Sequence, residues 1–290
     1  MEANVKAFAK LNLTLDVTGR DTDGYHAMRM IMQGASLCDD IRLSATPGTG
    51  GITIESGLPY VPSDGRNIAA KAARLFLDAR GITGWDIAMS VKKRVPVCAG
   101  LGGGSSDAAA VLRALNELFF ERMTPEELRS LSRPLGSDVP YCVSFGTMLA
   151  EGRGDVLTPL RELPPCFVVI CKPDFPISTP FLFRELDNGG EGPHPDMEAA
   201  VAAVEAGDLY ALGGLMQNVF ERVLGRRKSE IFAIKKELLR AGALGAVMSG
   251  TGSAVFGLFD SEDAASAAAR ALRRRWRSVF SCHTIGCLDD

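Results

Sequence analysis

Apolar and polar residues alternate along residues 5–17. Val5, Ala7, Ala9, Leu11, Leu13, Leu15 and Val17 fall on one side, and Lys6, Lys10, Asn12, Thr14 and Asp16 lie between them, with Phe8 as the exception. A period of two predicts a strand with one face on a core, its polar face either solvated or lining a site. The turn cluster Gly19–Gly24 leads to a second strand-like run at 28–37. Residues 41–45 and 52–55 flank Pro47–Gly51 and read as a hairpin. Asn67 opens a helical pattern through Ile68, Ala72, Leu75 and Leu77, with Gly81 just past its end. A strand is predicted at 86–92, then a Gly-rich stretch at 96–104, then an Ala- and Leu-rich helix from Ser105 to about Phe120. Thr124-Pro-Glu-Glu127 is a capping box with Pro in the first helical position.

The texture changes near residue 155, after a short strand and Gly152-Arg-Gly-Asp155. A strand at 166–172 lies among prolines, and Ser178 or Thr179 before Pro180 marks a helix start. Helices are predicted at about 197–206, 208–224, 229–241 and 261–275, with two short strands around a Gly-rich turn at 245–258. The chain reads as α+β, dividing into residues 1–155 and 156–290.

Composition narrows the function classes. A length of 290 residues suits about two domains of ~150. The net charge of −3 argues against nucleic acid as the main partner but leaves room for a small anionic ligand in a local basic pocket. Arg226-Arg-Lys228 and Arg273-Arg-Arg-Trp-Arg277 sit on helical patterns and read as solvated faces. The longest apolar run, Cys166–Cys171, is far short of the ~20 residues of a membrane span. The N-terminus carries no targeting pattern, so the cytoplasm is the expected location. Seven cysteines, an odd number, fit free thiols in a reducing compartment. Cys166 and Cys171 lie five apart on a predicted strand, hence on opposite faces, which makes a poor metal chelate.

The chemistry concentrates in Pro96-Val-Cys-Ala-Gly-Leu-Gly-Gly-Gly-Ser-Ser106, between a strand and a helix. Glycines let backbone approach a ligand closely, and a helix start offers unpaired N–H groups and the positive dipole end. A plain capped turn needs only one Gly and one Ser, so three glycines in a row favour an anion site. The segment lacks the Lys of a Walker loop and the G-x-G-x-x-G spacing of a dinucleotide fold.

The loop resembles the phosphate loop of the GHMP kinases. Ala9-Lys-Leu-Asn-Leu13, Asp23-Gly-Tyr-His26, the loop itself, Leu135-Gly-Ser-Asp-Val-Pro140 and Ser249-Gly-Thr-Gly-Ser253 follow in that order, so the resemblance covers about residues 5–260. It implies a two-domain fold, with an N-terminal domain like domain 2 of ribosomal protein S5 and a ferredoxin-like C-terminal domain. It also implies transfer of the γ-phosphoryl of ATP to an alcohol. Within the family the five segments match the branch whose substrate is a cytidine-diphosphate-linked methylerythritol of non-mevalonate isoprenoid synthesis.

By the same resemblance, Asp138 is the catalytic acid–base or hydroxyl-orienting residue and Lys10 its cationic partner. Pro96, Val97, Cys98, Ala99, Gly100, Leu101, Gly102, Gly103, Gly104, Ser105 and Ser106 are expected to hold ATP. Asn67 either contacts adenine or simply caps its helix. Tyr25 and His26 are expected to contact cytosine by stacking and by hydrogen bonding. Thr179 belongs to the segment that supplies a second aromatic, for which spacing favours Phe183 over Phe181. Asn12 orders substrate beside Lys10, and Lys93 meets the substrate diphosphate unless it is a solvated charge. Mg²⁺ is expected with ATP, through Ser106 or through Asp107 and a water. Departures from the family pattern, such as Ala27 after Asp-Gly-Tyr-His and Ser137 before Asp138, remove no chemical group the reaction needs. The competing readings are a GHMP kinase for homoserine or a mevalonate derivative and a silent small-molecule binder on the same fold. The aromatic pair Tyr25 and Phe183 argues against the first, and intact Lys10 and Asp138 against the second. A monomer or a homodimer is expected.

Overall fold

A computed structural model describes residues 1–20, 24–189 and 192–288. Strand β1 (Glu2–Arg20) pairs antiparallel with β2 (His26–Pro47) along its length. Both run beyond their alternating stretches because their mutual backbone pairing continues from Glu2–Ser44 to Arg20–His26. Past the exposed Lys6 the polar side of β1 is not solvated, for Lys10, Asn12, Thr14 and Asp16 are all buried. The expected turn through 21–23, Asp23 included, lies outside the described residues.

The hairpin expected from 41–45 and 52–55 does not form. Residues 41–45 continue β2, and β3 (Ile52–Glu55) pairs in parallel with β4 (Trp85–Lys92), which lies between β3 and β2. Asp86 accounts for the difference. Its Oδ1 accepts hydrogen bonds from the Gly50 and Gly51 amides at 2.9 and 2.7 Å, so the intervening glycines turn across the end of β4. Helix α1 (Ile68–Arg80) makes the crossover, with Asn67 at its N-cap and Gly81 at its C-cap.

Helix α2 (Gly103–Leu118) begins two residues earlier than expected, so Gly103 and Gly104 belong to its first turn rather than to the loop. Helix α3 (Pro125–Ser132) carries the reciprocal capping box of Thr124 and Glu127. Helix α4 (Val139–Ser144) and the hairpin of β5 (Thr147–Glu151) and β6 (Val156–Pro159) follow. The remaining strands are β7 (Phe167–Lys172), β8 (Gly245–Met248), β9 (Val255–Phe259) and β10 (Ser278–Ile285). The remaining helices are α5 (Thr179–Asn188), α6 (Met197–Ala206), α7 (Leu209–Leu215), α8 (Lys228–Arg240) and α9 (Glu262–Leu272).

The helix predicted over 208–224 breaks after Leu215 and resumes as short 3₁₀ turns. Asn218 imposes the break. Its Nδ2 donates to the carbonyls of Met248 and Gly250 at 2.6 and 2.7 Å, and its Oδ1 accepts from the Phe220 amide at 3.0 Å.

One sheet runs β3-β4-β2-β10-β7-β9-β8, with β1 and the β5–β6 hairpin also joined to β2. Both of its faces are packed. Helices α1, α2, α4, α8 and α9 contribute to one core, and α6, α7 and the Gly-rich loop to the other. Strand β7 shows the alternation directly: Val169 and Cys171 enter the first core, Cys166, Val168 and Ile170 the second. No helix among the described residues is long and apolar enough to cross a membrane.

Candidate active site

The Gly-rich segment connects β4 to α2 and is held from behind. Three consecutive carbonyls are engaged: Ala99 accepts from the Ala254 amide at 3.0 Å, Gly100 from Ser249 Oγ at 2.8 Å, and Leu101 from the Lys10 amide at 2.9 Å. These contacts bring the first strand and the Ser249–Ser253 segment onto the loop. Glycine is required at two points. A Cβ on Gly100 (φ 76°) would lie 2.0 Å from the Ser249 carbonyl oxygen, and one on Gly102 (φ 67°) 2.6 Å from Lys10 Cγ. Gly102 caps α2 without any side-chain hydrogen bond, so it offers the first-turn amides no capping acceptor. That is the anion-binding arrangement of a helix start.

Two chambers meet at this loop. The first, about 550 Å³, is lined by the loop, Tyr60, Asn67, Lys93 and Asp107. The second, about 570 Å³, is lined by Lys10, Tyr25, His26, Asp138, Arg153, Phe183 and Phe220. Gly100, Gly102, Ser105, Thr179 and Thr251 border both. Lys10 Nζ lies 3.4 Å from Asp138 Oδ2 and donates to Asn12 Oδ1 at 2.7 Å. Asn12 is itself buried, and its backbone N–H donates to Ser249 Oγ at 3.3 Å.

The other expected residues are distributed less evenly. Tyr25 is exposed beneath the guanidinium of Arg153, whose Cζ sits 3.9 Å from the ring centre. His26 stacks on Phe183 at 4.5 Å, and Phe183 meets Phe220 edge-on at 4.9 Å. Thr179 Oγ1 and Thr251 Oγ1 are 2.8 Å apart at the junction of the chambers. The side chain of Asn67 is spent on structure: Oδ1 accepts from the Ala69 amide at 2.9 Å and Nδ2 donates to the Pro62 carbonyl at 2.8 Å. It borders the first chamber as a helix cap.

Lys93 is not the solvated charge that its neighbours suggest. It is neither solvated nor in the chamber of Tyr25 and His26. It is buried beside the first chamber, with Nζ donating to Asp39 at 2.5 Å and to Asp107 at 2.6 Å. Burial alone would lower its pKa, but the carboxylates of Asp107 and Asp39 outweigh that and hold it above its ordinary value. Burial pushes Asp107 up to about 7 despite Lys93, and Asp39 adds to the rise. Asp39 also accepts from the Arg94 and Val95 amides, which fixes the exit of β4 into the loop.

Residues that fit Mg²⁺ stand at the start of α2. Ser106 Oγ and Asp107 Oδ1 are buried with no hydrogen-bond partner among the described residues, and both are hard oxygen donors of the kind this ion takes. No cluster of three metal-ligating side chains occurs among the described residues. Sequence reasoning missed Asp39, Arg153, Asp187, Asn218 and Phe220. Apart from the Asp39-Asp40 doublet, these residues carry no local signal, because they act on segments far away in the chain.

Comparison with known proteins agrees with this geometry. Residues 67–146 match the GHMP kinases N-terminal domain and residues 200–278 the GHMP kinases C-terminal domain. The chain belongs to the GHMP kinase family and is an ATP-dependent small-molecule kinase. It is 44% identical over 265 residues to the 4-diphosphocytidyl-2-C-methyl-D-erythritol kinase of Lachnoclostridium phytofermentans, covering 91% of this chain and 90% of that one. With the enzyme of the same name from Geobacillus kaustophilus it shares 41% over 286 residues, 99% of this chain and 98% of the relative. A crystal structure of 4-(cytidine 5'-diphospho)-2C-methyl-D-erythritol kinase superposes with a TM-score of 0.81 at 36% identity, covering 99% of this chain and 100% of the other. The α+β GHMP kinase fold expected from the sequence is thus present. Mevalonate kinase from L. major, at 22% identity and a TM-score of 0.75 over 99% of this chain and 96% of its own, shares the fold.

Proposed function

We propose that the protein phosphorylates the 2-hydroxyl of 4-diphosphocytidyl-2-C-methyl-D-erythritol with ATP, giving the 2-phosphate and ADP in the non-mevalonate isoprenoid pathway. The observation that carries the mechanism is the Lys10–Asp138 pair beside the seam of two chambers that share a phosphate-binding helix start. Phosphoryl transfer asks for positioning and charge stabilisation more than covalent chemistry. The first chamber takes ATP, with its phosphates on residues 96–106. The second takes the alcohol, so that its hydroxyl meets Asp138. Asp138 accepts or orients the hydroxyl proton. Lys10, held by Asn12, stabilises charge on the attacking oxygen and the transferring group. Mg²⁺ supplies charge neutralisation of the phosphates, and Ser106 and Asp107, the latter through a water, would hold it. Lys93 faces the nucleotide side.

The aromatic cluster of Tyr25, His26 and Phe183 favours a base-bearing substrate over a small alcohol such as homoserine or mevalonate. We assign the catalytic Lys and Asp to residues 1–155 and the segment with Phe183 to 156–290. The near-neutral charge of −3 argues against nucleic acid as a partner, and the reading is of a cytoplasmic enzyme for a small-molecule substrate, off the membrane, as a monomer or homodimer.

ADP release by the purified protein tests the reading. The cytidine-diphosphate alcohol is expected to turn over, and homoserine and mevalonate are not. Turnover of either small alcohol with none of the cytidine substrate would overturn it. Asp138→Ala is expected to lower kcat by about 10²–10⁴, the usual range for a general base.

A further inference from the structure

Asp187, on the last turn of α5, reaches across to the first residue of β2: its Oδ1 lies 2.7 Å from His26 Nε2. A carboxylate only accepts hydrogen bonds, so Nε2 must carry the hydrogen. Arg20 Nη1, 3.6 Å from the other oxygen of Asp187, gives that carboxylate a permanent cation. In neutral imidazole a hydrogen on Nε2 leaves Nδ1 as an acceptor. The ring plane is set as well, by the stack on Phe183 at an interplanar angle of 27°. His26 borders the second chamber, and α5 sets both its ring plane, through Phe183, and the nitrogen that carries the hydrogen, through Asp187.

Cytosine carries an amino donor at the position where uracil carries a carbonyl acceptor. An acceptor at Nδ1 matches the first and repels the second. We propose that Asp187 is a positioning residue that fixes the tautomer of His26 and so selects a cytosine over a uracil substrate. This rests on the reading of the second chamber as the base site.

Asparagine at 187 can donate as well as accept, so it releases the tautomer, whereas glutamate keeps an acceptor-only group. The test compares kcat/KM for the cytidine-diphosphate alcohol and its uridine counterpart in wild type, Asp187→Asn and Asp187→Glu. Polar mismatch in a site built for one hydrogen-bonding pattern is strongly selective, so the wild-type preference for cytidine is expected to shrink about tenfold or more in Asp187→Asn. The change should enter through KM, with Asp187→Glu retaining most of the preference. Nitrogen-15 NMR of His26 should show protonation on Nε2 in wild type and a mixture in Asp187→Asn. An unchanged preference in Asp187→Asn, or a His26 protonated on Nδ1 in wild type, overturns the proposal. A wild type that fails to turn over the cytidine substrate overturns the base-site reading beneath it instead.

Discussion

Asp138 stands at the N-cap of α4 with helical dihedrals (φ −81°, ψ −14°) and makes no cap hydrogen bond. An N-cap aspartate ordinarily spends its oxygen on a first-turn amide; this one keeps its carboxylate for Lys10. Asn12 is the other support of the ammonium. Asn12→Ala is expected to cost about tenfold to a hundredfold in kcat, as small displacements of reacting groups do, and a kcat within twofold of wild type would contradict it. Lys10 was legible from its place on the polar side of an alternating strand, and Asp138 only from the family motif. Lys93 was not legible, because its neighbours Lys92 and Arg94 suggest a solvated run while its real partners lie on β2 and α2. The native state keeps a proton on Asp107 from its ordinary 3.8 up to about 7, where the unfolded chain has lost it. Its contribution to stability therefore falls as pH rises through that window. Thermal melts of nucleotide-free protein at about pH 5 and about pH 7 should show a steeper loss for wild type than for Asp107→Asn. Cys98 is exposed on the phosphate loop, whereas burial pushes the Cys171 and Cys282 thiols up to about 12. A maleimide should label Cys98 first, and ATP should slow that labelling, as read by peptide mass spectrometry.

Among the elements, those with strong internal periodicity match their expected spans: α1 with its Asn67 cap, α3 with its capping box, α6, and strands β4 and β7. The misread ones were decided by distant side chains. Asp86 carries residues 48–51 past the hairpin geometry, and Asn218 interrupts what looked like one helix from 208 to 224. Strand β10 was overlooked because both of its alternating faces contain polar residues, Ser278 and Thr284 on one and Ser281 and His283 on the other. The contact of the Ser249–Ser253 segment with the phosphate loop explains a further expectation. At Gly100 the obstacle is a backbone oxygen, which cannot swing aside, and the dihedral itself disfavours a side chain. Gly100→Ala is expected to destabilise by at least about 1–3 kcal/mol, the range for a strained backbone, measured by urea denaturation. A wild-type midpoint would refute the close approach.

At the scale of the molecule, the single sheet is joined across its middle by short pairing of β10 with β2, at Thr284–Ala35 and Ile285–Gly34. Gln33 reinforces the junction by donating to the Ile285 carbonyl at 2.7 Å. Trp85 and Trp276, the two tryptophans, lie on opposite sides of it. Single-tryptophan variants should therefore report one coincident unfolding transition. Two separated transitions would show that the junction does not couple the halves. The phosphate loop depends on the same long-range assembly. Carbonyls 99, 100 and 101 are gripped by the first strand and by residues 249 and 254, so these peptide planes cannot rotate independently. Their oxygens are turned inward before any nucleotide arrives, and the polarity of the cradle is settled during folding. An incoming polyphosphate then meets oriented dipoles and spends little of its binding energy on arranging them.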